Sequence, residues 1–80
     1  MTRNHLQLVL ERTDLRGWAI GVASEDSYCL TPEDGGFAVF FQERGSRFQE
    51  RRFDDEDEAC VYLLLWLLKV QPTPPPGQGG

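Results

Sequence analysis

Apolar positions in the first fifteen residues recur at helical spacing. Leu6, Val9, Leu10 and Thr13 share a face, and Asn4 stands where an N-cap belongs. Leu6, Leu8 and Leu10 also alternate, as in a strand, but Glu11, Arg12 and Asp14 continue a helix comfortably. The spacing therefore predicts a helix over Asn4–Leu15 that Gly17 ends. From Trp18 the period changes to two. Trp18–Val22 (WAIGV) alternates large apolar with small residues, and Ser27–Leu30 (SYCL) is a second short extended run beyond the loop Ala23–Asp26. Thr31–Gly36 (TPEDGG) has the Pro, Asp and Gly pair of a turn. Phe37–Gln42 (FAVFFQ) is the strongest strand, with Phe37, Val39 and Phe41 on one face and Ala38, Phe40 and Gln42 on the other. Glu43-Arg44-Gly45-Ser46 is a hairpin turn in which Gly45 supplies positive φ. Arg47–Phe53 returns as a strand charged on both faces, which suits a sheet edge.

The last periodic segment differs in kind. The acidic run Asp54–Glu58 (DDEDE) leads without a break into ten apolar residues, Ala59–Leu68 (ACVYLLLWLL). The junction predicts a helix over about Asp55–Val70. Asp54 or Asp55 caps it, Glu58 follows Asp55 as in a capping box, the acids sit at the positive end of the helix dipole and Lys69 at the negative end. Pro72 stops it. A helix with no polar side must be covered all round. A chain of 80 residues has little material for that, so its second face needs the protein's own N-terminal segment or a partner. The run is no membrane span, because ten residues reach about 15 Å, half the hydrocarbon thickness.

The order is helix, three or four strands, helix. It predicts an α+β fold, a small antiparallel sheet of three to four strands packed with an N-terminal and a C-terminal helix. The domain is expected over residues 1–70, followed by a disordered Pro/Gly-rich tail over 71–80 (QPTPPPGQGG). A domain this small is marginal and leans on a very apolar core, a staple or an oligomer.

Charge narrows the function classes. Thirteen acids against eight bases leave a net charge of −5, which disfavours nucleic acid and suits a basic partner. The hairpin Glu43–Arg52 gathers four Arg and Phe48, but its acids interleave, so Arg44 and Arg47 read as protein contacts or as cross-strand pairs with Glu43 and Glu50. No Lys or Arg occurs between Gly17 and Glu43. If the loops holding Glu25–Asp26 and Glu33–Asp34 lie at one end of the sheet, they form a single negative rim. Catalytic chemistry finds few residues. His5 is the one histidine, and Cys29 and Cys60 belong to no CxxC pair; free buried thiols are the default and a disulfide the alternative. No metal site, cofactor motif or nucleophile elbow is visible, so a non-enzyme without cofactor is expected. The N-terminal stretch lacks a signal-peptide h-region, which predicts a cytoplasmic protein.

One layout carries more. Tyr28-Cys29-Leu30 is followed by Gly36-Phe37-Ala38-Val39-Phe40-Phe41. Glu43-Arg44-Gly45 comes next, then Arg52-Phe53 and Asp54-x-Glu56-x-Glu58-Ala59-Cys60 before the Leu-rich helix. This resembles the small immunity-type proteins found beside bacterial polymorphic toxins, those of the tuberculosis-necrotizing-toxin type included. The resemblance covers about Tyr28–Leu68. Phe37 stands where the pattern has Trp, and Phe40 and Phe41 where it has a Tyr pair, so hydroxyls are lost. The resemblance implies a protein that binds a cognate toxin and blocks its active site. The residues placed at that interface are Glu25, Asp26, Glu33, Asp34, Glu43 and Arg44, with Asp54, Asp55 and Asp57 as an alternative docking site. Phe40 would be an apolar anchor if the helices cover the opposite sheet face. The competing reading is a homodimeric scaffold that pairs through Leu64, Trp66 and Leu68 of the second helix.

Overall fold

The computed structural model describes residues 1–70. Its order is α1 (Arg3–Arg12), β1 (Trp18–Ile20), β2 (Ser27–Glu33), β3 (Gly36–Glu43), β4 (Ser46–Phe53) and α2 (Glu56–Val70). The tail expected over 71–80 lies outside the described residues. The α+β fold with a helix at each end is as expected, and both helices lie against one face of a four-stranded sheet of order β1-β2-β3-β4.

The sheet corrects the antiparallel expectation in one ladder. β2–β3 and β3–β4 are antiparallel, whereas β1 pairs parallel to β2, with Trp18 opposite Tyr28 and Ile20 opposite Leu30. Parallel neighbours usually need a crossover of a dozen or more residues. Here six suffice, because β1 is only three residues long and the loop Gly21–Asp26 can rise off the sheet and return. Gly21 (φ +95°) and Asp26 (φ +55°) make the two reversals.

β2 also runs further than expected, through Thr31-Pro32-Glu33. Tyr28 donates its N–H to Gly17 and Leu30 accepts from Gly21, so even-numbered positions of β2 face β1. Pro32 shares that parity but lies beyond the end of β1, where its missing N–H leaves no gap in the ladder. The turn therefore shrinks to Asp34–Gly35, both at positive φ, the two-residue hairpin form that Arg44–Gly45 repeats. Gly36 cannot be another residue without movement, because a Cβ there would meet the Phe53 carbonyl oxygen at 2.6 Å.

α1 starts before Asn4. Thr2 is its N-cap, its hydroxyl accepting from the His5 N–H at 3.2 Å, and Thr13 closes the other end through Val9. Leu15 leaves the helix yet stays buried. Leu6, Leu10 and Leu15 meet Ala59, Cys60, Leu63 and Leu67 of α2 over Leu30 and Val39 of the sheet, forming the main core. Aromatic rings close its β4 side: Trp66 stands edge-on to Tyr28 at 4.7 Å, and Tyr62 lies 5.3 Å from Phe53. At the start of α2, Glu56 accepts from the Arg3 N–H (2.9 Å) and Nε (3.0 Å), and Asp57 pairs with the Met1 amine, which ties the two helix N-termini together. Among the described residues no helix is long and apolar enough to cross a membrane.

The all-round apolar helix is only partly covered. α1 takes one flank and the sheet another, but Val61, Leu65, Leu68 and Val70 remain 38–60 % exposed. Of the three residues expected at a dimer contact, only Leu68 faces outward; Leu64 and Trp66 pack against the core.

Candidate partner-binding surface

The sheet face away from the helices holds a second, smaller core. Cys29, Ala38 and Phe40 are fully buried there beside Ala19. Neither α1 nor α2 covers them, and side chains of β2 and β4 do so instead. The Arg47 guanidinium lies 3.9 Å above the Phe40 ring. Its two nitrogens donate to the two Glu33 oxygens at 3.0 and 2.6 Å, a bidentate pair that Thr31 completes by donating its hydroxyl to Glu33 at 2.7 Å. Arg52 adds longer pairs to Glu33, Asp34 and Glu50, and Arg47 one to Glu50. The hydrogen bonds from Arg47 and Thr31 hold the Glu33 carboxyl down to about 2, and Glu33 in turn raises the pKa of Arg47. A planar guanidinium can stack on a ring and clamp a carboxylate at once, which suits Arg rather than Lys to this position.

Phe40 thus lies on the face expected for an anchor, with the helices opposite, but it sits at 0 % exposure beneath Arg47 and reaches a partner only if Arg47 swings away. Arg47 and Arg52 are occupied by acids of their own chain, which removes two of the four arginines from a basic hairpin surface.

The acidic loops do not form one rim. β2 separates them by about 20 Å, six steps of roughly 3.3 Å. Glu25 and Asp26 lie at the end that carries Glu43 and Arg44. There Glu25 accepts from the Gly45 N–H (2.8 Å) and from the Gln42 amide (3.0 Å), so it clamps the loop onto the hairpin turn. Asp26, Glu43 and Arg44 are exposed beside it. Glu33 and Asp34 lie at the opposite end, next to the β4–α2 junction. The contact between Gly36 and the Phe53–Asp54 backbone brings Asp34 and Asp54 to the same end, and Asp55, Asp57 and Glu58 continue it onto α2. Asp54 and Asp55 are exposed and form no salt bridge among the described residues. Asp34 is 84 % exposed and holds only Arg52, at 3.3 Å. The structure therefore divides the expected acids. Glu25 and Glu33 are engaged within the fold, whereas Asp34, Asp54 and Asp55 present their charge outward. Thr31–Gly36 reads as one turn in the sequence, and only the extension of β2 to Glu33 separates Glu33, in the ladder, from Asp34 in the two-residue turn beyond it.

Residues with reactive side chains do not converge. His5 is exposed on α1, and the two cysteines are buried on opposite faces of the sheet, so they cannot form a disulfide with each other. Burial raises the pKa of both thiols. A groove of about 460 Å³ between the start of α1 and β1 is lined by Thr2, Arg3, Asn4, Gln7, Ile20, Gly21 and Glu56, and its one ion pair is the Arg3–Glu56 tie. Among the described residues no three His, Cys, Asp or Glu side chains gather to hold a metal. No family model matches the chain, and no curated protein or solved structure matches it.

Proposed function

We propose that this chain is a non-enzymatic protein-binding domain of the immunity type, which neutralises a cognate bacterial toxin by occluding its active site. One observation carries the reading. The end of the sheet formed by the β2–β3 turn and the β4–α2 junction presents Asp54 and Asp55 outward, with Asp34 beside them in a two-residue turn and held only by Arg52, whereas Glu25 and Glu33 are engaged within the fold. A projecting acidic end suits a basic cleft, the kind of cleft that handles phosphate-bearing substrates. Charge complementarity there would speed the encounter and reject wrong partners more than it would set affinity. The cytoplasm, where a toxin would act on its own producer, is the compartment that goes with this function.

The test is co-expression of the tagged chain with the product of the neighbouring reading frame. The reading expects an equimolar complex that survives size-exclusion chromatography and falls apart as salt is raised. A chain that elutes alone, at low salt and with the neighbour folded, would remove the proposal.

A further inference from the structure

α2 has a face that neither α1 nor the sheet covers. Asp57, Glu58, Val61, Leu65, Leu68 and Lys69 are all exposed. At 3.6 residues per turn they lie on the side of the helix opposite the buried Ala59, Cys60, Leu63 and Leu67. The face reads, along the helix, acid, acid, three apolar residues, cation. Leu65 at its centre is 60 % exposed, flanked by Leu68 at 50 % and Val61 at 38 %. On the β4 side this stripe runs into open grooves at Tyr62 and Leu65, so no described residue stands above it.

The order of charge selects the occupant. Asp57 is already paired with the Met1 amine, so a basic partner would gain chiefly at Glu58 and lose at Lys69, and an acidic one would do the reverse. A second copy laid antiparallel gains at both ends. With a two-fold axis near the middle of the stripe, Leu65 packs on the second copy's helix close to its own twin. Val61 then comes beside Leu68 of the second copy, and Glu58 within one turn of that copy's Lys69. Such a contact is isologous and closes on itself. One tenth of the 5352 Å² surface from each copy would reach roughly 1,000 Å², the lower bound for a specific interface, so the association belongs at micromolar strength. We propose that the chain forms a two-fold dimer through the Val61–Leu65–Leu68 stripe of antiparallel α2 helices, with Glu58 and Lys69 pairing across the axis. Asp34, Asp54 and Asp55 lie outside the stripe and are not used by the dimer, so the dimer and the toxin-binding reading stand or fall separately.

Sedimentation velocity on the full chain, from about 1 to about 200 µM, tests this, because a dimer must be concentration-dependent. The expected result is a monomer–dimer equilibrium with a midpoint of order 10 µM. Leu65→Asp should shift it at least tenfold toward monomer with an unchanged circular dichroism spectrum. Lys69→Glu should weaken it several-fold, and Glu58→Lys combined with Lys69→Glu should restore it. Glu58 and Lys69 lie about 16 Å apart along one helix, so rescue can only come from a second copy. A monomer throughout the range, or a double exchange as weak as Lys69→Glu alone, would overturn the proposal.

Discussion

Replacing Arg47 by Met isolates the ionic part of the clamp over Phe40, because Met keeps an apolar stem above the ring. At neutral pH the variant loses both Glu33 hydrogen bonds and the stacked charge. The fall of the Glu33 pKa from 4.5 to about 2, to which Arg47 contributes most and Thr31 and Arg52 add, corresponds to about 3 kcal/mol. The pair is open to water on one side, with Glu33 20 % and Arg47 35 % exposed. Screening then brings the figure to roughly 1–2 kcal/mol. The sign follows from the depressed pKa. The contribution is complete above the ordinary carboxyl value of 4.5 and drains away as pH falls through about 2, with roughly half gone by about pH 3. Urea denaturation followed by Trp fluorescence measures it. Arg47→Met should be less stable by about 1–2 kcal/mol near neutrality, and the gap to the unmodified protein should close as pH falls. Arg47→Ala should lose about 1 kcal/mol more, since it also uncovers the Phe40 ring. A gap below about 0.5 kcal/mol at neutral pH, or one that does not change down to about pH 2, would refute the claim that this pair holds the second core shut.

Three further outcomes follow from particular contacts. Gly36→Ala should cost about 2–3 kcal/mol in urea denaturation, because the backbone of Phe53 blocks the added carbon; a loss smaller than that of Gly35→Ala would argue against the close approach. Leu63→Ala, at a fully buried site between the helices and the sheet, should cost about 2–4 kcal/mol on the same assay, and a loss under about 1 kcal/mol would contradict the packing. Cys29 and Cys60 should react with a disulfide reagent only after denaturation and should not pair on oxidation, since they are buried on opposite faces with raised pKa values; rapid labelling of the native protein would show otherwise.

Much of the architecture was legible because period and turn chemistry agreed. The β3–β4 hairpin announces itself through alternation and Gly45, and α2 through its acidic start and Leu-rich body. The parallel β1–β2 ladder was not, since a six-residue connection argues against parallel pairing and only the brevity of β1 permits it. Pro32 looked like a turn residue because its tolerance in β2 depends on where β1 stops, a fact of the tertiary structure. Thr2 and Asn4 are both good caps, and local sequence does not choose between them. For the site, strand parity separated Phe40 from Phe37, Val39 and Phe41 but left open which face the helices cover, and no pattern reveals that Arg47 folds back over it. The separation of Glu25–Asp26 from Glu33–Asp34 was readable in principle, because loops before and after one strand lie at its two ends.

The most direct test of the immunity reading is protection of growth in cells that express the product of the neighbouring reading frame, the proposed toxin, with the intact chain set against a variant carrying Asp34→Asn, Asp54→Asn and Asp55→Asn. Asn keeps the size of the side chain and tolerates the positive φ at position 34 while removing the charge. The account predicts that the intact chain restores growth and binds the toxin. The folded triple variant should protect poorly and bind at least tenfold more weakly, about 1.4 kcal/mol. Cells that stay poisoned by an expressed toxin despite abundant, folded chain, with no binding between the purified pair, would contradict it.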